Sequence, residues 1–336
     1  MRVLFDHPFP FALAHGGFQT QIEQTKLALE SIGVTVEHLR WWDDTQRGDI
    51  IHFFGRPFPA YIDAAHAKGM KVVMAELLTA TGSRSRNALR AQKAMTTASK
   101  KILPGAFTMR LAWDSYCMAD AVIALTAWES ELMHYLFGTP SERLHVVPNG
   151  VEEVFFQSAA VKRGKWLVCT ATITERKRVV ELAEAAVLAK TPVWIIGKPY
   201  SETDSYGRRF LRVASGAPDL VRYEGAISDR ARLATIYREA RGFVLLSSME
   251  SLSLSALEAA ACECPLLLSD LPWAKTVFGE GTQFCPATAG LNESAKALRE
   301  FYEAAPSLPT RTKPVRWRQV AEQFRAIYER LLSTSR

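Results

Sequence analysis

Short apolar runs alternate with longer amphipathic stretches along most of the 336 residues, and this alternation leaves few folds open to the chain. The runs are rich in Val, Ile, Leu and Phe without polar alternation, as is typical of strands covered on both faces. The stretches between them repeat apolar residues at helical spacing. Strand–helix–strand repetition predicts parallel sheets with right-handed crossovers, and therefore an α/β fold.

The series runs twice along the chain. The predicted strands of the first half are Arg2–Phe5, Thr35–Leu39, Ile50–Phe54, Lys71–Ala75, Ala121–Leu125 and Leu144–Val147. Those of the second half are Trp166–Thr170, Val193–Ile196, Val221–Tyr223, Gly242–Leu246 and Pro265–Leu268. The predicted helices are Thr20–Ser31, Ala127–Phe137, Val179–Ala189, Asp229–Ala240, Ser255–Cys262 and about Trp317–Leu332.

Length and repetition together predict two Rossmann-like, doubly wound domains, since about 150 residues make one domain. We place the first at 1–152 and the second at 153–314, and we expect the helix at about 315–336 to pack back on the first. Ligands of open parallel sheets bind beyond the carboxyl ends of the strands, so two such sheets facing each other would form a binding cleft.

Composition excludes several classes of protein. Hydrophobic residues make up 48% and charged residues 23%, which excludes a disordered chain and a coiled coil. The net charge of +6 favours anionic ligands but is too small to predict nucleic-acid binding. The five cysteines form no CxxC pair, so we expect neither a disulfide scaffold nor a structural zinc site. The first residues do not resemble a signal peptide and no long apolar run occurs, so we expect a cytoplasmic protein.

Three turns that follow predicted strands contain residues suited to phosphate. Gly16 and Gly17 precede a predicted helix, where backbone N–H groups could approach an anion. Arg176, Lys177 and Arg178 follow the first strand of the second half, and Gly197-Lys198-Pro199 follows the next. Each feature by itself also fits an ordinary turn or a solvated cluster of charge.

The most informative stretch is GFVLLSSMESLSLSALEAAACECP, residues 242–265. A buried strand leads into a polar loop and then into a helix, with Glu250 in the loop and Glu258 in the helix. Carboxylates at these positions could accept hydrogen bonds from sugar hydroxyls, and the N–H groups of Leu252, Ser253 and Leu254 could hold a diphosphate. Glu258 also fits a capping box with Ser255 as its N-cap.

These motifs resemble retaining glycosyltransferases of family 4, which have the two-Rossmann GT-B fold. The Glu250-x7-Glu258 pair and the residues after it are similar to the E-x7-E signature of that family. Further segments along most of the chain are similar to the family as well: Gly16-Gly17, DIIHFFG (49–55), ADAVIALTAWES (119–130), HVVPNGV (145–151), Lys177, Gly197-x-Pro199 and YEGAISD (223–229).

The resemblance implies a role for each matching residue. Glu250 would contact hydroxyls of the donor sugar, Glu258 would hold the nucleotide ribose, and Lys177 would bind the diphosphate. The backbone at Ala226 and Ile227 would meet the base, and Gly17 would approach the phosphate from the other domain. The resemblance also implies a nucleotide-diphosphate sugar as co-substrate, with no obligatory metal and no other cofactor.

The chain departs from the family pattern at several positions. Ala171 and Thr172 stand where the family usually has an Arg, for which Arg176 or Arg178 could compensate. Glu76 is the residue nearest to the position of a common His. Within the signature itself, Ser251 and Leu252 replace Gly and Phe, and Cys264 replaces Gly. The identity of the donor sugar therefore does not follow from the resemblance.

Residues 84–110 form a basic segment that does not depend on the resemblance. From Leu77 to Trp113 the chain has no Asp or Glu, and apolar residues are interspersed among the cations. Such a segment fits an anionic lipid surface, which would make the protein peripheral at the inner face of a membrane, or an anionic acceptor. A solvated basic surface explains it equally well.

The sequence thus predicts a hexosyl-type glycosyltransferase that acts on a glycan, lipid-linked or small-molecule acceptor. Two alternatives stay open at this point: a nucleotide-sugar 2-epimerase, and a catalytically inert protein that binds sugar nucleotides or serves as a scaffold. An NAD-linked dehydrogenase is disfavoured because no G-x-G-x-x-G follows either first strand.

Overall fold

The computed structural model describes residues 1–11, 16–102, 110–157 and 161–333. The chain forms two compact units. The N-terminal unit comprises Met1–Gly150 together with Val315–Arg336, and the C-terminal unit comprises Val151–Pro314.

The N-terminal unit is built on a six-stranded parallel sheet with the order β2-β1-β3-β4-β5-β6. The strand order reverses at β1, which places crossover helices on both faces of the sheet. Its strands are β1 (Arg2–Asp6), β2 (Thr35–His38), β3 (Ile50–Phe54), β4 (Lys71–Ala75), β5 (Ala121–Ala124) and β6 (Leu144–Val146).

Seven helices of the N-terminal unit are described. They are α1 (Gly17–Ser31), α2 (Pro59–Ala67), α3 (Thr79–Gly82), α4 (Arg86–Ile102), α5 (Ser115–Met118), α6 (Ala127–Phe137) and α13 (Trp317–Ser333), with a 3-10 turn at Ser141–Arg143. The final helix α13 packs against α1, and its Tyr328 hydroxyl lies 2.7 Å from Nδ1 of the buried His52 on β3. The last helix of the chain therefore contributes to the core of the first unit.

The C-terminal unit has a second six-stranded parallel sheet, ordered β12-β11-β10-β7-β8-β9. Its strands are β7 (Leu167–Thr170), β8 (Val193–Ile196), β9 (Val221–Tyr223), β10 (Gly242–Leu245), β11 (Leu266–Asp270) and β12 (Gln283–Pro286). The order reverses between β7 and β10, and such a switch point opens a crevice beyond the strand ends where ligands of this fold class bind.

The helices of the C-terminal unit join these strands. They are α7 (Val179–Ala189), α8 (Ser205–Gly216), α9 (Arg230–Glu239), α10 (Leu254–Ala261), α11 (Ala274–Phe278) and α12 (Leu291–Ala304), with 3-10 turns at Glu153–Phe156, Glu175–Lys177 and Ala305–Ser307. In the described part of both units, no helix is long and apolar enough to cross a membrane.

The prediction of two doubly wound parallel α/β sheets is confirmed, and all eleven predicted strands form. The sequence pattern missed β12, because Gln283–Pro286 is a short edge strand that begins with a polar residue and ends with proline. Besides α4 and the short helices α3, α5 and α11, it also did not predict α2, α8 or α12. The last two are strongly amphipathic helices with many charged residues, so their narrow apolar stripes do not stand out as runs.

Candidate functional site

The switch point of the second sheet brings two polar loops together. β7 pairs directly with β10, so the loops that follow these strands leave the same edge of the sheet side by side. The loop after β7 carries Arg176 and Lys177 in a 3-10 turn, and the loop after β10 carries Glu250. The two segments are joined through the backbone, since the Ser248 N–H donates to the Arg176 carbonyl at 2.9 Å.

Glu250 is held by two cations. The Lys177 ammonium contacts its carboxylate directly, and Nη1 of Arg176 lies 3.4 Å from Oε2. The Lys177 and Glu250 side chains are each only 12% exposed. Burial acts to raise the pKa of Glu250, but the charges of Lys177 and Arg176 outweigh burial and hold this pKa below its ordinary value. Glu250 is therefore a largely buried, ionised acceptor of hydrogen bonds.

The main chain at Glu250 is also fixed. The indole Nε1 of the buried Trp273 donates to the Glu250 carbonyl at 2.9 Å, and Nη1 of Arg176 donates to the Met249 carbonyl at 3.0 Å. Together with the Ser248 N–H, three backbone groups of this short loop are hydrogen-bonded, and these bonds restrict the conformations of the loop. The position of the Glu250 carboxylate thus follows from the fold of the unit.

Helix α10 begins directly after this loop. Its N-cap is Ser253, whose hydroxyl accepts from the Ala256 N–H at 3.4 Å, so the interpretation of Ser255 as the N-cap is wrong. Leu252 and Ser253 are buried and Leu254 is half-buried at the start of the helix. The three residues therefore lie where the helix dipole presents its positive end, beside Glu250.

Glu258 lies on the buried face of α10 and meets a different partner. Nη2 of Arg230 contacts its Oε1, and the Tyr237 hydroxyl lies 3.5 Å from its Oε2. Burial raises the pKa of Glu258 to about 7, although the charge of Arg230 opposes this rise. The sequence pattern did not predict Arg230 as a site residue. The only weak signal for it was a cation at the first position of the helix that follows the loop after β9.

The other predicted donor-binding residues lie along the same sheet edge. Ala226 and Ile227 lie in the loop between β9 and α9, three residues or fewer before the Asp229 that caps α9. Gly197 follows β8 with a φ of +152°, and a Cβ built there would lie 1.9 Å from the Ala171 carbonyl oxygen. Only glycine fits this close approach, so the structure explains Gly197 by backbone packing.

Arg176 and Arg178 are the two candidates to replace the Arg of the family 4 pattern, and they contact different groups. Arg176 reaches the Glu250 carboxylate, whereas Arg178 turns away and donates to the carbonyls of Ala287 (2.9 Å) and Ala289 (2.5 Å). Ala171 is buried against Gly197 and offers no polar side chain. In this unit the cation beside Lys177 is therefore Arg176.

Residues of the N-terminal unit occupy a separate sheet edge. Gly16 is the N-cap of α1 with a φ of +132°, and Gly17 is its first residue; residues 12–15 just before them lie outside the described residues. Glu76 follows β4 and is paired with Arg56, which follows the neighbouring β3, through contacts of 2.7 and 2.8 Å. The Tyr116 hydroxyl also donates to Glu76. The carboxylate of Glu76 is thus engaged within its own unit.

The basic segment forms helix α4 over Arg86–Ile102, and its residues 103–109, including Leu103 and Phe107, lie outside the described residues. Met95 and Ile102 expose 60% and 78% of their surface, while Leu89 is buried. Exposed apolar and exposed basic side chains therefore both occur along this helix.

Within the described ranges, no three His, Cys, Asp or Glu side chains are grouped so that they could hold a metal ion. The expectation that no metal is required rests on the cations Lys177 and Arg176 and stays a prediction.

Comparison with protein families identifies the C-terminal unit. Residues 150–321, just over half of the chain, match the model of glycosyl transferases group 1. The match includes the loop of Arg176 and Lys177, both glutamates and Arg230.

One curated relative and several solved structures resemble the chain. The alpha-galactosylglucosyldiacylglycerol synthase of Streptococcus pneumoniae is 33% identical over 119 residues, which are 35% of this chain and 30% of that protein. The sucrose-phosphate synthase of Thermosynechococcus elongatus is 16% identical with a TM-score of 0.69, over 99% of this chain and all of that one. HepE from Anabaena, crystallised with UDP, is 14% identical with a TM-score of 0.67, over 99% of both chains. At such identities the structures establish the shared fold alone, which is of the GT-B type.

Proposed function

The chain belongs to the glycosyl transferases group 1, and we propose that this glycosyltransferase moves a hexosyl residue from a nucleotide-diphosphate sugar to an acceptor hydroxyl with retention of configuration. The observation that carries the proposal is the pairing of two cations and a largely buried carboxylate at the switch point of the second sheet. Lys177 and Arg176 supply positive charge for a diphosphate, and Glu250 supplies an acceptor for sugar hydroxyls.

Each part of the donor has a proposed contact in the C-terminal unit. The diphosphate would bind Lys177, Arg176 and the N-terminal N–H groups of α10 at Leu252, Ser253 and Leu254. The ribose would bind Glu258, and the base would meet the backbone at Ala226 and Ile227. Because Lys177 already contacts Glu250, the incoming diphosphate would share this ammonium with the carboxylate rather than find it free.

The proposed reaction uses the leaving group as its base. The acceptor oxygen forms a bond to the anomeric carbon while the bond from that carbon to the diphosphate oxygen breaks. The acceptor proton passes to a diphosphate oxygen, and Lys177, Arg176 and the α10 dipole stabilise the charge that develops on the diphosphate. Glu250 keeps the sugar in position during this exchange.

Affinity for sugar nucleotides tests the proposal most directly. Thermal unfolding would be followed with UDP-glucose, ADP-glucose and GDP-mannose, each with its free diphosphate. A ligand at 100 times its dissociation constant should add about 2.7 kcal/mol to the stability of the protein. No stabilisation by any of them contradicts the proposal. Conversion of a donor to its sugar epimer without acceptor would favour the 2-epimerase, and binding without turnover on any acceptor would favour an inert binding protein.

We further propose that the acceptor is lipid-linked and that α4 holds the protein at an anionic membrane surface. Arg86, Arg90 and Lys93 lie on this helix, which contains no acidic residue, and Met95 and Ile102 are exposed on its opposite face. The pneumococcal relative is named as a synthase of a diacylglycerol glycolipid, which is consistent with an acceptor in a bilayer.

Vesicle binding tests the role of α4. Reversing the charges of Arg86, Arg90 and Lys93 to Glu should abolish co-sedimentation with vesicles of phosphatidylglycerol and phosphatidylcholine, since each cation near the surface contributes about 1 kcal/mol. The same reversal of Arg318, Arg325 and Arg330 on α13 is the matched control and should change binding less. Equal binding of the wild type to vesicles of phosphatidylcholine alone would contradict an electrostatic membrane contact.

A further inference from the structure

Arg230 is placed between two carboxylates. It is the first residue of α9, and its Nε lies 2.8 Å from Oε2 of Glu152 while its Nη2 contacts Oε1 of Glu258. The guanidinium also lies 4.8 Å from the ring centroid of Phe155. A planar guanidinium that is fixed on two edges and one face has little freedom, so it presents a constant charge to Glu258.

Glu258 depends on this charge. Glu258 is only 5% exposed. A carboxyl group at such a site becomes neutral unless a cation or hydrogen-bond donors compensate for the loss of water. The pKa of about 7 reflects this balance between burial, which raises it, and Arg230, which lowers it. The charge of Glu152 acts against Arg230 and raises the pKa of Glu258 further.

The other titratable groups around Glu258 do not replace Arg230. Tyr237 on α9 stays neutral, because burial raises the pKa of its hydroxyl well above the ordinary value. Burial likewise raises the pKa of Cys262, at the end of α10, to about 12. The adjoining strand β10 contributes apolar residues, and Asp270 on β11 is exposed at the strand end.

We propose that Arg230, itself held by Glu152, is a positioning residue that allows the Glu258 carboxyl group to ionise near neutral pH and orients it for the ribose of the donor. This rests on the proposed function, in which Glu258 binds the ribose. An ionised carboxylate offers about four acceptor sites on its two oxygens, so it can receive both neighbouring ribose hydroxyls while Arg230 occupies one site. A protonated carboxyl group would lose part of this capacity and the charge that strengthens each bond.

Removing the charge of Arg230 and removing the charge of Glu152 should shift the pKa of Glu258 in opposite directions. In Arg230→Met the carboxyl loses its cation, so it should stay protonated to higher pH, and the affinity for sugar nucleotide should fall about tenfold near pH 7 and recover as the pH rises. In Glu152→Gln the opposing negative charge is removed, so the fall in affinity on acidification should begin at lower pH than in the wild type. Arg230→Lys keeps the charge but loses the planar contacts, so it should shift the pH dependence in the same direction as Arg230→Met but by less.

Calorimetric titrations from about pH 6 to about pH 8.5 measure these shifts. The probe is whichever of UDP-glucose, ADP-glucose and GDP-mannose stabilises the wild type most, because their diphosphates do not titrate in this range. Near-ultraviolet circular dichroism establishes that each variant is folded, and Glu152→Gln and Arg230→Lys keep the test decisive if Arg230→Met does not fold.

Opposite shifts in the two variants support the positioning role. A loss of affinity in Arg230→Met that is the same at every pH, or shifts in the same direction in both variants, overturns it and leaves the proposed function in place. A wild type that binds none of the three sugar nucleotides overturns the proposed function itself, and the role of Arg230 with it.

Discussion

Glu250 and Glu258 stand eight residues apart in one unit, and their side chains are 12% and 7% exposed, yet their pKa values move in opposite directions. Burial acts to raise both. At Glu250 the charges of Lys177 and Arg176 outweigh burial and lower the pKa, whereas at Glu258 burial outweighs the charge of Arg230 and raises the pKa to about 7.

The difference lies in how many cations each carboxylate meets and whether they are shared. Glu250 has two cations of its own, whereas the single guanidinium at Glu258 also contacts Glu152. Two carboxylates of one sequence signature are therefore in different electrostatic states before any ligand binds. We infer that the first is a permanent anion suited to positioning a sugar, and that the second responds to pH.

The largest effect should follow from Glu250→Ala. Loss of this carboxylate should misplace the anomeric carbon and lower the transfer rate on the order of 100-fold, while the affinity for the free nucleoside diphosphate stays close to that of the parent. Steady-state turnover of the donor and calorimetry with the diphosphate measure the two quantities. Glu175→Ala, which removes an exposed carboxylate from the neighbouring 3-10 turn, is the control.

Two results would contradict this assignment. Weak diphosphate binding by Glu250→Ala would indicate that Glu250 organises the phosphate loop, and turnover at the parental rate would remove Glu250 from the reaction altogether.

Lys177→Met should lower the affinity for nucleoside diphosphate about tenfold, because a charge-assisted contact to the diphosphate is lost. It should also raise the pKa of Glu250 toward that of Glu258, because the pKa of a buried carboxyl group rises when its nearest cation is removed. Calorimetry with UDP, ADP and GDP measures the first effect. The exposed Lys296→Met serves as the control, and equal affinities of the two variants would exclude a diphosphate contact for Lys177.

Glu258→Gln should remove a pH dependence of stability. The folded protein keeps a proton on Glu258 up to about pH 7, whereas the unfolded chain releases it near the ordinary value of 4.5. The folded state therefore holds more protons between these values, and the free energy of unfolding contributed by this group is lost as the pH rises toward 7. The contribution is on the order of 1–3 kcal/mol.

Urea unfolding from acidic to neutral pH measures this contribution as the difference between the wild type and Glu258→Gln. Glu239→Gln, at an exposed position near the end of α9, should leave the pH dependence unchanged. The same Glu258→Gln protein should bind nucleotide more weakly than the wild type at neutral pH. Unchanged nucleotide affinity combined with a lower melting temperature would give Glu258 a purely structural role.

The smallest effect is expected for Tyr237→Phe. The Tyr237 hydroxyl lies 3.5 Å from Oε2 of Glu258, a long hydrogen bond, and the ring contacts with Phe155 and Phe243 remain in the variant. The change in the free energy of unfolding should stay below about 1 kcal/mol, measured in the same urea series. Arg230→Met would be measured in the same urea series. A change in the free energy of unfolding of Tyr237→Phe as large as that of Arg230→Met would indicate that Tyr237, rather than Arg230, controls the protonation of Glu258.

The sequence predicted those parts of the site that follow strands directly. Lys177 and Glu250 each come a few residues after a strand, and the strand order of a doubly wound sheet makes those two strands neighbours. Arg230 could not be predicted in the same way. Its contact with Glu258 depends on how α9 packs against α10, and local sequence does not encode that packing.

The contact of Glu152 with Arg230 could not be predicted for the same reason. The segment of Glu152 has no strand or helix pattern, and its contact with Arg230 spans 78 residues of sequence. Interactions of this kind arise from tertiary packing, so a sequence pattern identifies the residue types but not their pairing.

The hydrogen bond from the Trp273 indole to the Glu250 carbonyl has a consequence for the timing of catalysis. Loops that carry reacting groups commonly open and close on the microsecond to millisecond scale, and each closure must order the loop again. Here an indole that is 3% exposed and the backbone of Arg176 fix residues 248–250 within their own unit. The order of this loop is therefore established when the unit folds, and the Ser248 amide should exchange its hydrogen as slowly as the amides of the neighbouring strand.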